Sequence, residues 1–256
     1  MFRCAGVRVF MYACDVGNMN TSTHTHMNTL QVIYEDNHLI AVNKPPGALV
    51  QGDETGDVPL SEEVKLYIKN RYKKPGDVFL GVIHRLDRPV SGVVVFARTS
   101  KALERMNLLF KERKIEKTYW AIVNERPDPL SGRLTHFIQK EKTRNIVKAY
   151  DTRSSRAKDA KESILDYELI AEIGTQHLLE VHPLTGRPHQ IRAQLSKVGY
   201  PIRGDLKYGY PKANDDASIC LHCRKLAFEH PVTKERIEIQ SNPPNNQYWK
   251  LFKNQF

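Results

Sequence analysis

Between residues 31 and 239 the chain is cut into short apolar runs by clusters of Gly, Pro, Asn and Asp, and few segments carry a helical period. Punctuation at that spacing suits strands of roughly four to eight residues and leaves little room for long helices. Residues 31–44 read as strand, a turn at Glu35-Asp36-Asn37, and strand again, stopped by Pro45-Pro46-Gly47. Further strands are expected at 78–83, 93–97, 118–123, 130–137, 163–171, 177–182, 221–228 and 236–239. The run 93–97 is apolar throughout, as a strand buried on both faces requires. Leu60, Val64, Tyr67 and Ile68 predict a helix over 58–72, starting near Ser61-Glu62-Glu63. Ala102, Leu103, Met106, Leu109 and Phe110 predict a second, capped by Ser100. Ile191 and Leu195 fit a short third over 188–195, which puts His189 and Arg192 on one side of it. The expected fold class is α/β (α+β), built mainly on short antiparallel strands.

With 256 residues, 40% of them hydrophobic, the chain can bury one sizeable core. Residues 28–245 are expected to form that domain, and 246–256 a C-terminal tail. Residues 1–27, rich in Thr, Asn and His toward their end, read as a leader or as sequence upstream of a start at Met19 or Met27. A cytoplasmic location and a monomer are the default expectations. No apolar run approaches the length of a membrane span, so no membrane partner is expected. A net charge of +10 favours a polyanionic partner such as nucleic acid. The charge is densest in 140–161, where eight Lys or Arg stand against three Asp or Glu with almost no large apolar residue. That stretch is expected to stay unburied, as a solvated hairpin or as an arm on a polyanion.

The segment His84-Arg85-Leu86-Asp87-Arg88 sets a carboxylate between arginines, just before Ser91-Gly92 and the apolar run. In extended backbone Arg85 and Asp87 share one side, and His84 and Leu86 the other. A carboxylate beside arginine stays ionised and suits a nucleophile or base. The same residues fit a surface ion pair, worth about 0–1 kcal/mol. A second cluster, Thr185-Gly186-Arg187-Pro188-His189-Gln190-Ile191-Arg192, offers planar guanidinium donors to a phosphate or carboxylate. Arg192 is a candidate partner for Asp87; a solvated basic turn is the plain alternative, and His189 reads as structural. Cys220-Leu221-His222-Cys223 has CxxC spacing without a second pair, and it lies in strand-like sequence, so packing cysteines are expected rather than metal ligands. No P-loop, dinucleotide fingerprint, HExxH, EF-hand or GxSxG pattern occurs. An enzyme of this sequence is therefore expected to work with side chains alone, without cofactor or metal.

Over about residues 30–240 the chain resembles the RluA-type family of RNA pseudouridine synthases. The stretches that carry the resemblance run in family order: Tyr34 through Lys44-Pro45-Pro46-Gly47, His84 through Gly92, Glu116-Lys117-Thr118-Tyr119, Leu184 through Arg192, Gly199 through Asp205, Tyr208-Gly209, and Leu221-His222 with His230-Pro231. The resemblance implies the pseudouridine synthase catalytic fold, with a central, mainly antiparallel mixed sheet. It implies isomerisation of uridine in structured ribosomal (large subunit) or transfer RNA, with no cofactor. It makes Asp87 the catalytic aspartate, Tyr119 the active-site tyrosine and Arg192 the basic partner. It makes Arg85 the residue that takes the place of the flipped uridine, and it sets His84, Arg187, Ile191 and Leu221 around the substrate. The chain departs from the family's pattern in having Val90 where Thr is frequent and Gln194 where His is frequent. Residues 1–29 are short and lack a hydrophobic pattern, so an N-terminal S4 RNA-binding domain, which many relatives carry, is not expected. A non-catalytic RNA-binding or assembly module on the same scaffold is the alternative, and a metal-free hydrolase or lyase using Asp87 a weaker one.

Overall fold

The apolar run before Arg98 becomes the strand around which the sheet is laid. The structure, a computed structural model, describes residues 30–141, 146–153, 157 and 159–255; the expectations for residues 1–27 lie outside them. Strand β1 (Val32–Glu35) turns back into β2 (Leu39–Lys44). The turn is held by Asp36, whose carboxylate accepts from the N–H groups of His38 and Leu39, both at 2.7 Å. Helix α1 (Leu60–Arg71) follows, then the short β3 (Gly81–Val82) and β4 (Ser91–Ala97), in which every residue is buried. Of the strand expected over 78–83, only β3 pairs in the sheet.

Helix α2 (Ser100–Lys111) packs on β3 and β4. Its cap is Thr99 rather than the expected Ser100: the Thr99 hydroxyl accepts from the Ala102 N–H at 3.2 Å, and Ser100 is already helical. A Thr with extended backbone caps as a Ser does, and the two stand side by side. Strands β5 (Glu116–Val123), β6 (Ser131–Lys140), β7 (Val147–Tyr150), β8 (Lys161–Ile173) and β9 (Gln176–Pro183) come next. Helix α3 (Gln190–Lys197), strands β10 (Leu221–Glu229) and β11 (Arg236–Gln240), and the short α4 (Gln247–Lys250) complete the order. The segment expected as a tail is packed: Trp249 and Phe252 are each 1% exposed in the main core.

Among the described residues the strands form one sheet, in the order β1-β2-β4-β10-β5-β9-β8-β6-β7, with β3 beside β4 and β11 beside β10. Every pairing is antiparallel except β4 with β10, where Ser91 faces His222 and Gly92 faces Cys223. This parallel pair brings the loop before β4 and the start of β10 to one end of the sheet. His222 locks it, one ring nitrogen 2.9 Å from the Ser91 hydroxyl and the other 3.0 Å from the Ser241 carbonyl. Burial pushes the His222 pKa down to about 3, so the ring is a neutral strut.

Gly92 makes this approach possible. Its φ is +122°, and a Cβ there would lie 2.4 Å from the carbonyl oxygen of Cys223 and 2.5 Å from its nitrogen. The obstacle is backbone, which cannot rotate aside. Gly92→Ala is therefore expected to destabilise the protein by about 3 kcal/mol, from a strained backbone and overpacking together. Chemical denaturation checks this, and an unchanged midpoint would show that the β4–β10 pairing is looser than drawn.

Within the basic stretch 140–161 the described residues include a hairpin, β6 with β7, whose charged residues are exposed, but the stretch is not wholly unburied. It is docked through its few small apolar residues: Val147 is 4% exposed, Ala160 2% and Ala157 0%. Strand β7 pairs with β6 at the end of the sheet, and Val147 joins Ile138, Ala193 and Tyr208 in a small second core. An outer strand needs only one apolar face, and a face this small is hidden by the surrounding charge in a sequence reading.

Candidate active site

The loop before β4 alternates as extended backbone does. Leu86 turns inward and is 8% exposed, Arg85 is exposed, and the Asp87 side chain is 27% exposed. Lys44, at the end of β2, holds this loop from beneath. Its ammonium is fully buried and donates to the carbonyls of Pro45 at 3.0 Å, Arg88 at 3.0 Å and Val90 at 2.6 Å. Burial pushes its pKa down to about 7, opposed in part by the nearby Asp87 carboxylate. No position in the sequence marks a lysine as buried, so this support escapes a reading of the residues alone.

Helix α3 brings Arg192 to the same point. One terminal nitrogen of its guanidinium donates to Asp87 Oδ2 at 2.9 Å. Nε and the other terminal nitrogen donate to the two oxygens of Asp205, at 2.7 and 2.9 Å. Arg192 and Asp205 are buried, their side chains 5% and 1% exposed. Burial alone would lower the Arg192 pKa, but the bonds to Asp205 and Asp87 overcome that and raise it, so the guanidinium is permanently charged. The pairing of Arg192 with Asp87 is the expected one; Asp205 is not. A buried guanidinium has five N–H donors, more than one carboxylate can accept, so it needs a further acceptor. Asp205, which follows Gly204 in one of the family-like stretches, supplies it.

Asp87 thus spends one oxygen on the protein. Oδ2 takes the Arg192 bond, while Oδ1 accepts no hydrogen bond from the described residues. His189, the residue that opens α3, places its Nε2 3.8 Å from the same Oδ2. Lys207 also lies within the field of Arg192, Asp87 and Asp205. A carboxylate held by one cation, with its other oxygen free of hydrogen bonds from the described residues, can attack an electrophilic carbon or remove a proton.

Tyr119, on β5, faces Cys223 across the β5–β10 pairing. Burial, then the Cys223 thiol, then Asp87 raise its pKa well above the ordinary phenol value, so its hydroxyl stays protonated. Ile191 and Leu221 are buried, 7% and 3% exposed, Ile191 next to Arg192 and Leu221 at the start of β10. The Arg187 backbone N–H is bonded to Gln190 Oε1 at 3.0 Å, while its buried side-chain Nε finds no acceptor among the described residues.

His84, expected near the substrate, makes its contacts on the other side of the loop from Asp87. Its Nε2 accepts from the Val95 N–H at 3.0 Å, and its ring stacks on Phe110 of α2 at 5.2 Å. Burial pushes its pKa down to about 4, which keeps that nitrogen an acceptor. The strand alternation that sends Arg85 and Asp87 outward sends His84 into the layer between β4 and α2.

Cys220 and Cys223 are buried free thiols, and burial pushes each pKa up to about 12. Among the described residues no group of three or more His, Cys, Asp or Glu is placed to hold a metal ion.

Comparison with known proteins gives this geometry a context. A family model described as RNA pseudouridylate synthase matches residues 38–197. The chain is 31% identical over 231 residues to a protein of Vibrio parahaemolyticus named tRNA pseudouridine synthase C, covering 83% of this chain and 90% of that one. It is 30% identical to the protein of that name from Haemophilus ducreyi, covering 89% and 96%. It is 31% identical to a ribosomal large subunit pseudouridine synthase C of Buchnera aphidicola, covering 86% and 69%. Among solved structures, human RNA pseudouridylate synthase domain containing 4 superposes with a TM-score of 0.71 at 24% identity, over 88% of this chain and 93% of that one, a likeness of fold.

Proposed function

The chain belongs to the RNA pseudouridylate synthase family, and we propose that Asp87 is the residue with which it isomerises a uridine of transfer RNA. The observation that carries this is the Asp87 carboxylate, bonded through one oxygen to a buried, permanently charged Arg192 and open at the other. Transfer RNA is favoured over ribosomal RNA by the relatives. Those matched over 90% and 96% of their own length carry tRNA in their names, while the Buchnera ribosomal relative is matched over 69%. Ribosomal RNA is the second reading.

In the proposed reaction the N1–C1′ bond of a uridine breaks and a C5–C1′ bond forms, with one proton leaving C5 and one reaching N1. Flipping the base out of its helix costs a few kcal/mol, less in a loop. Arg85, exposed and without a hydrogen bond or ion pair among the described residues, fills the vacated place. Asp87 either attacks C1′ or removes the 2′ proton. Tyr119 presents a ring to the uracil and a protonated hydroxyl to the exchange at C5. Arg187 offers donors to a phosphate. The bonds broken and made balance within one substrate.

RNA from a strain lacking the gene, incubated with purified protein and mapped for pseudouridine, tests the proposal. Conversion at a discrete tRNA site supports it, and conversion in ribosomal RNA selects the second reading. Binding without conversion makes the chain a binding module and overturns the proposal. The basic segment supplies a further expected result. Replacing Lys140, Lys148, Arg153 and Lys161 with Gln should weaken binding to all RNAs alike. The log–log salt slope should shrink by about 0.7–0.9 for each charge that meets a phosphate. Filter binding across a salt series reads this, and an unchanged slope leaves the segment a solvated face.

A further inference from the structure

His189 occupies the cap position of α3, where Ser, Thr, Asn or Asp would bond the first turn, yet its side chain caps nothing. Its φ is +51°, a left-handed conformation that costs a non-glycine residue about 1–2 kcal/mol and persists only where the surroundings impose it. The ring is committed elsewhere. Nδ1 lies 2.7 Å from the Tyr208 hydroxyl, and Nε2 lies 3.8 Å from Asp87 Oδ2.

The Tyr208 hydroxyl has a second partner, the Val147 N–H of β7, which donates to it at 3.0 Å. With that lone pair occupied, the phenol proton is free to donate to His189 Nδ1. When it does so, the imidazole proton stands on Nε2, facing the carboxylate. Burial lowers the His189 pKa and keeps the ring neutral. The charged groups that face it are Asp87, Arg192, Lys207 and Asp205. Tyr208 is held in turn by the Arg192 guanidinium over its ring at 4.9 Å.

We propose that His189 is a positioning residue for Asp87, oriented by Tyr208, and that the Tyr208 hydroxyl carries the placement of β7, and with it the basic segment, to the carboxylate. Nε2–H steadies Oδ2, the oxygen that Arg192 also holds, leaving Oδ1 for the substrate. The Nε2–Oδ2 separation is 3.8 Å, longer than a hydrogen bond, so the pair acts here through charge and orientation. The inference rests on the proposed role of Asp87 in pseudouridine formation.

Two measurements on the full chain test it. Long-range 1H–15N correlation on the unaltered protein should show His189 as the neutral tautomer protonated at Nε2 at pH 7. Tyr208→Phe, which keeps the ring over Arg192 and removes only the hydroxyl, should lose that single tautomer. An Nδ1-protonated ring or an imidazolium in the parent overturns the proposal, whether or not the protein is active. Single-turnover conversion at saturating RNA supplies the second. Tyr208→Phe should be slower by about tenfold, the worth of a hydrogen bond in a charged network, with RNA affinity unchanged. The double variant Tyr208→Phe with His189→Ala should be no slower than His189→Ala alone. Additive losses, or an affinity change with an unchanged rate, overturn it. A parent that converts no uridine refutes the proposed function instead, and the tautomer still decides the role of Tyr208.

Discussion

Asp87→Asn is expected to fold as the parent does, bind RNA as tightly, and form pseudouridine slower by a factor on the order of 10,000. The substitution keeps shape and volume at a side chain that is 27% exposed, so packing does not change. It also spares the buried framework. Arg192 keeps both bonds to Asp205, and the bond it loses to Asp87 can be remade to the carboxamide oxygen. What disappears is the negative charge, and with it both routes open to Asp87. A carboxamide neither attacks C1′ nor takes a proton. Quenched-flow conversion of a single-site RNA, with thermal unfolding and filter binding on the same samples, separates chemistry from structure. Conversion at the parental rate with an intact fold removes Asp87 from the mechanism. A loss of RNA affinity matching the loss of rate would instead make it a binding residue.

Parts of this site could be read from residue order and parts could not, for a physical reason. Asp87 and Arg192 each lie in a dense local pattern, arginines and a glycine around one, Gly-Arg-Pro-His-Gln around the other, which also fits a plain surface; the family resemblance is what singles them out. The run 93–97 inside β4 is plain, since a short run that is apolar at every position suits a strand covered on both faces. Lys44 and Asp205 are different. Each is an ordinary charged residue whose role comes from burial, and burial is settled by strands far apart in the chain. The pairing of β4 with β10 joins residues such as Ser91 and His222, 131 positions apart, and no local period encodes it. The same holds for the docking of β7, where Val147, Ala157 and Ala160 are outnumbered by the charges around them. His84 shows the converse. Its neighbours Arg85 and Asp87 draw it into the motif, yet strand alternation turns it to the opposite face.

Arg192→Met is expected to destabilise the fold by about 3–5 kcal/mol, because it strands a charge in the interior rather than on the surface. Asp205 is 1% exposed and receives two N–H donors from Arg192; methionine supplies none. An isolated carboxylate in such a place loses its hydration without recompense. The loss is of the order of a whole domain's margin, about 5–15 kcal/mol, so urea unfolding should show a much lower midpoint. Activity should vanish too, but that result alone is ambiguous, since an unfolded enzyme is inactive whatever Arg192 does. The double variant Arg192→Met with Asp205→Asn resolves it. Removing the charge that Arg192 served should restore most of the stability, as replacement of both members of a buried pair commonly does. It should not restore turnover, because Asp87 still lacks the cation bonded to its Oδ2. Recovery of both stability and rate would mean that Arg192 serves only Asp205, and that the carboxylate of Asp87 works without it. Arg192→Lys adds a graded point: one ammonium is charged but cannot span both carboxylates with a planar fork, so it should keep part of the stability and less of the rate.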